Sequence, residues 1–314
     1  MRTGLRVRTL PAVALLALLV PLTACGGDDS SVADPGGSGG DETSEAAGDA
    51  TACDGETTDL LKEVCDKGVL TVSTDPAYPP ASSLNEQTGE YEGFDIDVAT
   101  EIAKRLGVDV AWEAPSWDVI TAGSWNGRWD TSVGSMTPTN DRQQVLDFTQ
   151  PYNYTPAVVV TLADDDSVSD LTTDLDGKTI GVCAGCTYDQ YLSKTLDISG
   201  FTFDFVIDDA TIKGYDTDTT ALQDLALGDG TRLDAAITSS TVAQGYINEG
   251  NPVKIVGDPL FYEPLAVAID KSSDLDPASL AEAADQIVAD MHEDGTLTEM
   301  SKQWFDGLDL TVQQ

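Results

Sequence analysis

The sequence predicts an α/β protein, with mostly parallel sheets covered by helices. Three observations carry that expectation. Short β-rich runs alternate with helical patterns from about residue 60 to residue 310. No period of roughly 20–50 residues recurs, which argues against a solenoid. Hydrophobic residues make up 41% of the 314, enough to bury a real core. Composition and alternation alone leave open one barrel or two lobes.

The elements follow in order. Residues 69–73 form a short β run after Gly68. Gly93-Phe94-Asp95 opens a helix, with Asp95 as the expected N-cap. Val98, Ile102 and Leu106 recur there at helical spacing, and Gly107 ends it. Residues 108–112 read as the next strand, 117–125 as a helix, 131–136 as a strand and 156–162 as strongly β. A strand at 178–183 leads into a helix at 187–196. A helix at 219–227 precedes strands at 234–238 and 264–269. Leu280, Ala284, Ile287 and Met291 mark a helix stopped by Gly295, and Leu297, Met300 and Trp304 mark a last one.

The first residues read differently. Arg2, Arg6 and Arg8 precede an unbroken apolar run of nine residues, 12–20, flanked by Pro11 and Pro21. That is an export segment and is too short to span a bilayer. Leu22-Thr23-Ala24-Cys25 follows at once and resembles the bacterial lipobox. The resemblance implies that residues 1–24 are a lipoprotein signal peptide, cleaved before Cys25. It also implies a diacylglyceryl group on the Cys25 sulfur and an acylated new amino terminus. More than one acyl chain is what stable anchoring requires. Residues 25–53 are rich in Gly, Ser and acid with almost no large apolar side chain, a composition that cannot offset its ordering entropy by burial. They are expected to be a self-repelling tether.

Charge and cysteine usage narrow the function. There are 16 Lys and Arg against 55 Asp and Glu, a formal net charge of −39. Too few cations remain to neutralise a phosphate backbone, so no nucleic acid is expected as a partner. Loss of residues 1–24 removes three Arg and no acid, which moves the charge to −42. Such a field draws in cationic ligands and repels anionic ones, an effect weakened by salt. The single His, His292, argues against Ser/His/Asp chemistry and against a His-rich metal site. Neither a metal nor a cofactor is expected. Apart from Cys25, Cys53, Cys65, Cys183 and Cys186 remain, an even number suited to an oxidising compartment. Four cysteines allow three connectivities, and the reading pairs 53 with 65 and 183 with 186.

Two elements look built for an anion. In Ser135-Met136-Thr137-Pro138-Thr139-Asn140-Asp141-Arg142, strand alternation brings Ser135 and Thr137 out on one face. A turn from Thr139 then sets Arg142 near a strand's carboxyl end, where open α/β sheets bind ligands. A guanidinium matches a carboxylate bidentately. An Arg spent on a surface ion pair is the plainer alternative. The second element is Gly181-Val-Cys-Ala-Gly-Cys-Thr187, a strand passing through glycine into a helix whose free amides suit an anion.

These motifs carry a resemblance. GFDIDVATEIAKRLG at 93–107, Trp117-Asp118, Gly127-Arg-Trp-Asp130, SMTPTNDR at 135–142, DFTQPY at 147–152, LDGKTIGV at 175–182 and RLDAAITS at 232–239 occur in the order of the extracellular solute-binding proteins of family 3. These are polar amino-acid receptors of ABC importers. The resemblance implies a two-lobe, type II periplasmic-binding-protein-like fold with two crossover strands, near 154–160 and 260–266. It divides the body into lobe 1, residues 54–156 plus 262–314, and lobe 2, residues 157–261. It implies that Arg142 holds the ligand α-carboxylate and that Ser135 and Thr137 bond the carboxylate and the ammonium. Thr187 and the Cys186 amide would cap the carboxylate from lobe 2. Asp75 and Tyr78 belong to the family's early loop, with the Tyr ring over the ligand side chain. Trp117 would stack on the ligand's apolar part. Core packing is the plainer fate of Tyr78 and Trp117.

One departure bears on the ligand. Where many amino-acid-binding members carry an acid that pairs with the ligand ammonium, this chain has Ser239. A buried ammonium without an anionic partner is costly. Either another acid supplies the charge, Asp75 or Glu263, or the ligand is not a standard α-amino acid. Cys183-x-x-Cys186 is a second departure, read as a structural disulfide, with free thiols or redox function as alternatives. The expected protein is a monomeric, non-catalytic receptor, lipid-anchored at the extracytoplasmic face of the cell membrane. It would hand a small polar solute to an ABC permease. The alternatives are an enzyme of the cyclohexadienyl or arogenate dehydratase kind on the same scaffold, and a sensory module without an importer.

Overall fold

The computed structural model describes residues 53, 59–228 and 232–313. The export segment, Cys25 and nearly all of the tether lie outside these residues. Cys53 is disulfide-bonded to Cys65 on α1 (Leu60–Lys67). The Asp59 side chain accepts the Lys62 amide at the start of α1, and Gly68 turns left-handed at its end. β1 (Val69–Ser73) then pairs in parallel with β5 (Asp109–Glu113) and β6 (Thr131–Met136). Beside them is a small antiparallel sheet of β2 (Ala77–Tyr78), β3 (Ser82–Asn85) and β4 (Glu90–Glu92), which the sequence reading did not expect.

Helix α2 (Phe94–Leu106) lays Phe94, Val98, Ile102 and Leu106 on the core. Its N-cap is Gly93, not Asp95. At Gly93 φ is +136°, and a Cβ would lie 2.2 Å from the Ala81 carbonyl oxygen, so only glycine fits. Asp95 lies inside the helix, fully buried. The helix expected at 117–125 stops early, as α3 (Trp117–Thr121), because Gly123, Ser124, Asn126 and Gly127 all take positive φ.

The second group of strands is β9 (Thr179–Cys183), β10 (Thr211–Tyr215) and β11 (Ala235–Ser239), mutually parallel. Helices α4 (Thr187–Leu192), α5 (Asp218–Ala226) and α6 (Ser240–Asn248) accompany it. α4 is shorter than the expected 187–196, and Lys194 turns left-handed just past its end. Two long strands join the groups: β8 (Asn153–Leu162) and β12 (Val253–Asp270), antiparallel to each other with a break in register between Val256 and Phe261. The strand order is β10-β9-β11-β8-β12-β6-β1-β5, with β7 (Leu146–Phe148) pairing β12 off this path. The sheet is therefore mixed rather than mostly parallel, because β12 runs opposite to each strand it joins.

The packing explains why β12 matters. It delivers Phe261 to a core with Val159, Ile180, Tyr191 and Ile237. A few residues on, it delivers Leu265, Val267 and Ile269 to a different core with Leu70, Val98 and Ile102. Helices α7 (Ala278–Glu293) and α8 (Thr296–Trp304) close that second core with Leu280, Met291 and Leu297. Glu263 stands on the short stretch between the two cores. No described helix is long and apolar enough to cross a membrane.

Candidate functional site

A pocket with about 450 Å³ of empty space opens beside that stretch. Arg142, Ser135, Thr137, Asp75, Tyr78 and Trp117 line it from the side of β1 and β6, and Cys186 and Thr187 line it from the side of β9. Glu263 contributes from β12. The strands β1, β6 and β9 end at this pocket, so the loops that follow them deliver these side chains.

Arg142 opens the short 3-10 turn Arg142–Gln144 and is 5% exposed. Nη1 donates to the Thr137 carbonyl at 2.9 Å and Nη2 to the Gly185 carbonyl at 3.2 Å, so one guanidinium touches loops of both strand groups. Its Cζ lies 4.9 Å from the centroid of the Trp117 ring. Burial lowers its pKa to about 10, against the pull of the Glu263 charge, so it stays cationic at neutral pH. A guanidinium has five N–H groups, and the two carbonyls leave others for a ligand.

Glu263, 3% exposed, is the centre of a hydroxyl cluster. Its Oε2 accepts Thr137 Oγ1 at 2.9 Å and Thr187 Oγ1 at 2.6 Å, and its Oε1 accepts the Tyr188 hydroxyl at 2.6 Å. Burial pushes its pKa up, and the three hydroxyls and Arg142 hold it back. Each hydroxyl has one proton to give. Thr137 and Thr187 therefore meet the pocket with their protons already given to Glu263. The Cys186 amide is likewise committed, donating to the Cys183 carbonyl at 3.3 Å. Cys183 and Cys186 are disulfide-bonded, and both line the pocket.

Ser135 reaches the pocket differently from Thr137. Its φ is +53°, and its Oγ donates to Asp95 Oδ2 at 2.8 Å while its amide donates to the Tyr152 hydroxyl at 3.0 Å. Tyr152 in turn donates to Asp95 Oδ1 at 2.9 Å. Burial raises the Asp95 pKa to about 7, against the pull of these hydroxyls. Asp75 Oδ1 accepts the Ala77 amide at 2.8 Å, and burial raises its carboxyl pKa as well. The Tyr78 hydroxyl lies 3.4 Å from that of Tyr188. Because Tyr188 gives its proton to Glu263, Tyr78 is the donor in that pair.

Ser239 is not among the residues lining the pocket, and stands behind Tyr78. Its Oγ accepts the Val242 amide at 3.3 Å and caps α6. The sequence reading also missed Tyr188, Asp216 and Asp218, which do line the pocket. Asp218 is 4% exposed and opens α5 after the Thr217 cap. Burial raises its pKa to about 7, and the charges of Glu263 and Asp75 push the same way. The Thr238 hydroxyl beside it pulls the other way, without the geometry of a full hydrogen bond. The one signal for Asp218 in the sequence was the charge deficit left by Ser239. The chemistry of the site is polar capture of a small molecule, with one cation facing several carboxyls.

Comparisons with known proteins agree with that chemistry. The chain is 28% identical over 253 residues to the L-cystine-binding protein TcyJ of Escherichia coli (strain K12), covering 80% of this chain and 88% of that one. It is 30% identical over 252 residues to the probable amino-acid-binding protein YxeM of Bacillus subtilis (strain 168), covering 79% and 88%. Among solved structures it resembles the ancestral amino acid-binding protein AncCDT-1, a precursor of cyclohexadienyl dehydratase. The TM-score is 0.67 and the identity 29%, over 78% of this chain and 99% of that one. The model of the bacterial extracellular solute-binding proteins, family 3, matches residues 70–307. With the strand order and the pocket already described, that match makes the chain a member of the bacterial extracellular solute-binding proteins of family 3.

Proposed function

We propose that this chain captures an amino acid or a related small polar solute outside the cytoplasm and presents it to an ABC permease. The working unit is a monomer of two lobes, residues 54–156 plus 262–314 and residues 157–261. The lobes close on the ligand, which bonds both and so favours the closed state. The observation that carries this reading is Arg142, whose guanidinium holds the Thr137 carbonyl of one lobe and the Gly185 carbonyl of the other at the pocket's edge. Ser135, Thr137, Thr187, Cys186, Asp75, Tyr78 and Trp117 make up the rest of the pocket's candidate contacts, and Ser239 drops out. Cys25 carries the lipid, and the acidic tether after it lets the lobes work near the membrane surface.

Isothermal titration with the twenty standard L-amino acids and L-cystine tests this. Arg142→Ala should weaken the tightest of them by about 30-fold or more, the scale of a desolvated charge pair losing one member. Wild-type affinity in that variant would remove Arg142 from the site. A second reading has one feature in its favour: burial raises the Asp218 carboxyl inside the pocket to about 7, a value suited to a general acid. We take the pocket as non-catalytic, and turnover of cyclohexadienyl acids, followed by absorbance, would reverse that.

A further inference from the structure

The geometry points to Asp218, seconded by Asp75, as the subsite that takes the α-ammonium of the ligand. This rests on the amino-acid reading above and adds which acid supplies the charge.

Four acids line the pocket; Glu263 and Asp216 are set aside, and Asp75 can only second Asp218. Glu263 has its two oxygens committed to Thr137, Thr187 and Tyr188. Asp75 has one oxygen tied to the Ala77 amide. Asp216 is exposed and well hydrated. Asp218 is 4% exposed, faces the pocket, and its Oδ1 has no hydrogen-bond partner among the described residues. A buried carboxylate oxygen left in that state is costly, and a bound N–H⁺ is the group that removes the cost. Ser239 cannot do this, because it is neutral and its Oγ caps α6.

The surroundings favour a cation at Asp218. Its neighbours are the Asp75 and Glu263 carboxyls, the Tyr78 and Tyr188 hydroxyls and the Thr238 hydroxyl. The Cys183 and Cys186 sulfurs lie within 4.8 Å of its carboxylate oxygen. Among the described residues the one cation lining the pocket is Arg142, already spread over two carbonyls and Trp117. Disulfide sulfurs give a polarisable wall that neither donates a proton nor adds charge. In the empty pocket Asp218 holds its proton up to about pH 7. It must release that proton to pair with an ammonium, so affinity should fall about tenfold for each pH unit below 7.

The test is isothermal titration of wild type, Asp218→Asn and Asp218→Glu with the same amino-acid panel, from pH 8 to pH 5. The expected result is a loss of at least 30-fold for the tightest amino acid in Asp218→Asn at pH 8 and partial rescue in Asp218→Glu. Wild-type affinity should weaken below pH 7, and the profile of Asp218→Asn should be flat. Binding within threefold of wild type in Asp218→Asn overturns the subsite and leaves the receptor reading standing. A flat wild-type profile overturns it too, and needs no substitution that could disturb folding. Failure of wild type to bind any amino acid overturns both.

Discussion

At one end of the pocket Glu263 receives three hydroxyl protons, and Arg142 places two N–H groups on carbonyls from both strand groups. At the other end Asp218 keeps an oxygen with no partner among the described residues, next to a disulfide and a second carboxyl. The two ends are equally buried, so exposure does not explain the contrast. Apart from Trp117 Nε1, which has no partner among the described residues, the first end is wired to itself and holds the pocket in shape. The second is left for a ligand to complete. A buried polar network is worth most when every member is satisfied, and an unpartnered carboxylate oxygen in it marks either strain or a binding site.

The largest effect on stability should come from breaking the satisfied end. Glu263→Ala strands Thr137, Thr187 and Tyr188 together and leaves the Arg142 charge without its facing carboxylate. The expected cost is about 3 kcal/mol in urea unfolding, since each unmet buried group costs roughly 1–3 kcal/mol. Glu263→Gln, which keeps acceptors and shape, should cost less than half of that. A loss below about 1 kcal/mol in Glu263→Ala would show that the two ends do not differ in the way described.

The pH dependence of the ligand-free protein sharpens the comparison from the other direction. Asp95 and Asp218 are both raised from 3.8 to about 7 by burial. Between pH 7 and pH 4 the folded state therefore holds protons that the unfolded state has already lost. Stability should rise as pH falls through that window, at up to about 1.4 kcal/mol per pH unit for each group. The carboxyls held low, such as Asp174 and Asp224, oppose this only below about pH 5, where the unfolded chain begins to take up protons. Differential scanning calorimetry should show the melting temperature climbing from pH 7.5 to pH 5. Asp218→Asn should remove part of the slope, while Asp95→Asn should remove a part that ligand does not affect, because Ser135 and Tyr152 already occupy Asp95. A melting temperature that falls with pH would contradict the raised carboxyls.

The sequence made the frame of this site legible and hid its wiring. Hydrophobic spacing and flanking glycines located β1, α2, β6 and β9, since each is set by local pattern. The mixed sheet was not legible, because the antiparallel course of β12 depends on which distant strands it joins. Arg142, Thr137 and Thr187 could be named from motifs, Glu263 only as a candidate for a missing charge, and all four line one pocket. Their bonds could not be read. That Thr137 and Thr187 both spend their protons on Glu263 depends on pairings 126 and 76 residues apart in the chain. Asp218 looked like a residue ahead of a helix start, and nothing local distinguishes a capping acid from a ligand acid. Only the substitution at position 239 signalled that charge was missing somewhere.

That substitution supplies the smallest and most discriminating test. The resemblance read from the sequence sets Ser239 where a ligand-pairing acid is expected, and in the fold it accepts the Val242 amide and caps α6. Ser239→Ala removes the cap acceptor and should cost about 1 kcal/mol, the usual value for such a loss. Because Ser239 is not among the residues lining the pocket, ligand affinity by isothermal titration should stay within about twofold of wild type. A large loss of affinity without a matching loss of stability would return Ser239 to the pocket and weaken the case for Asp218. The converse, a stability loss with unchanged affinity, would assign Ser239 to capping α6 and leave the ammonium subsite to the acids that line the pocket.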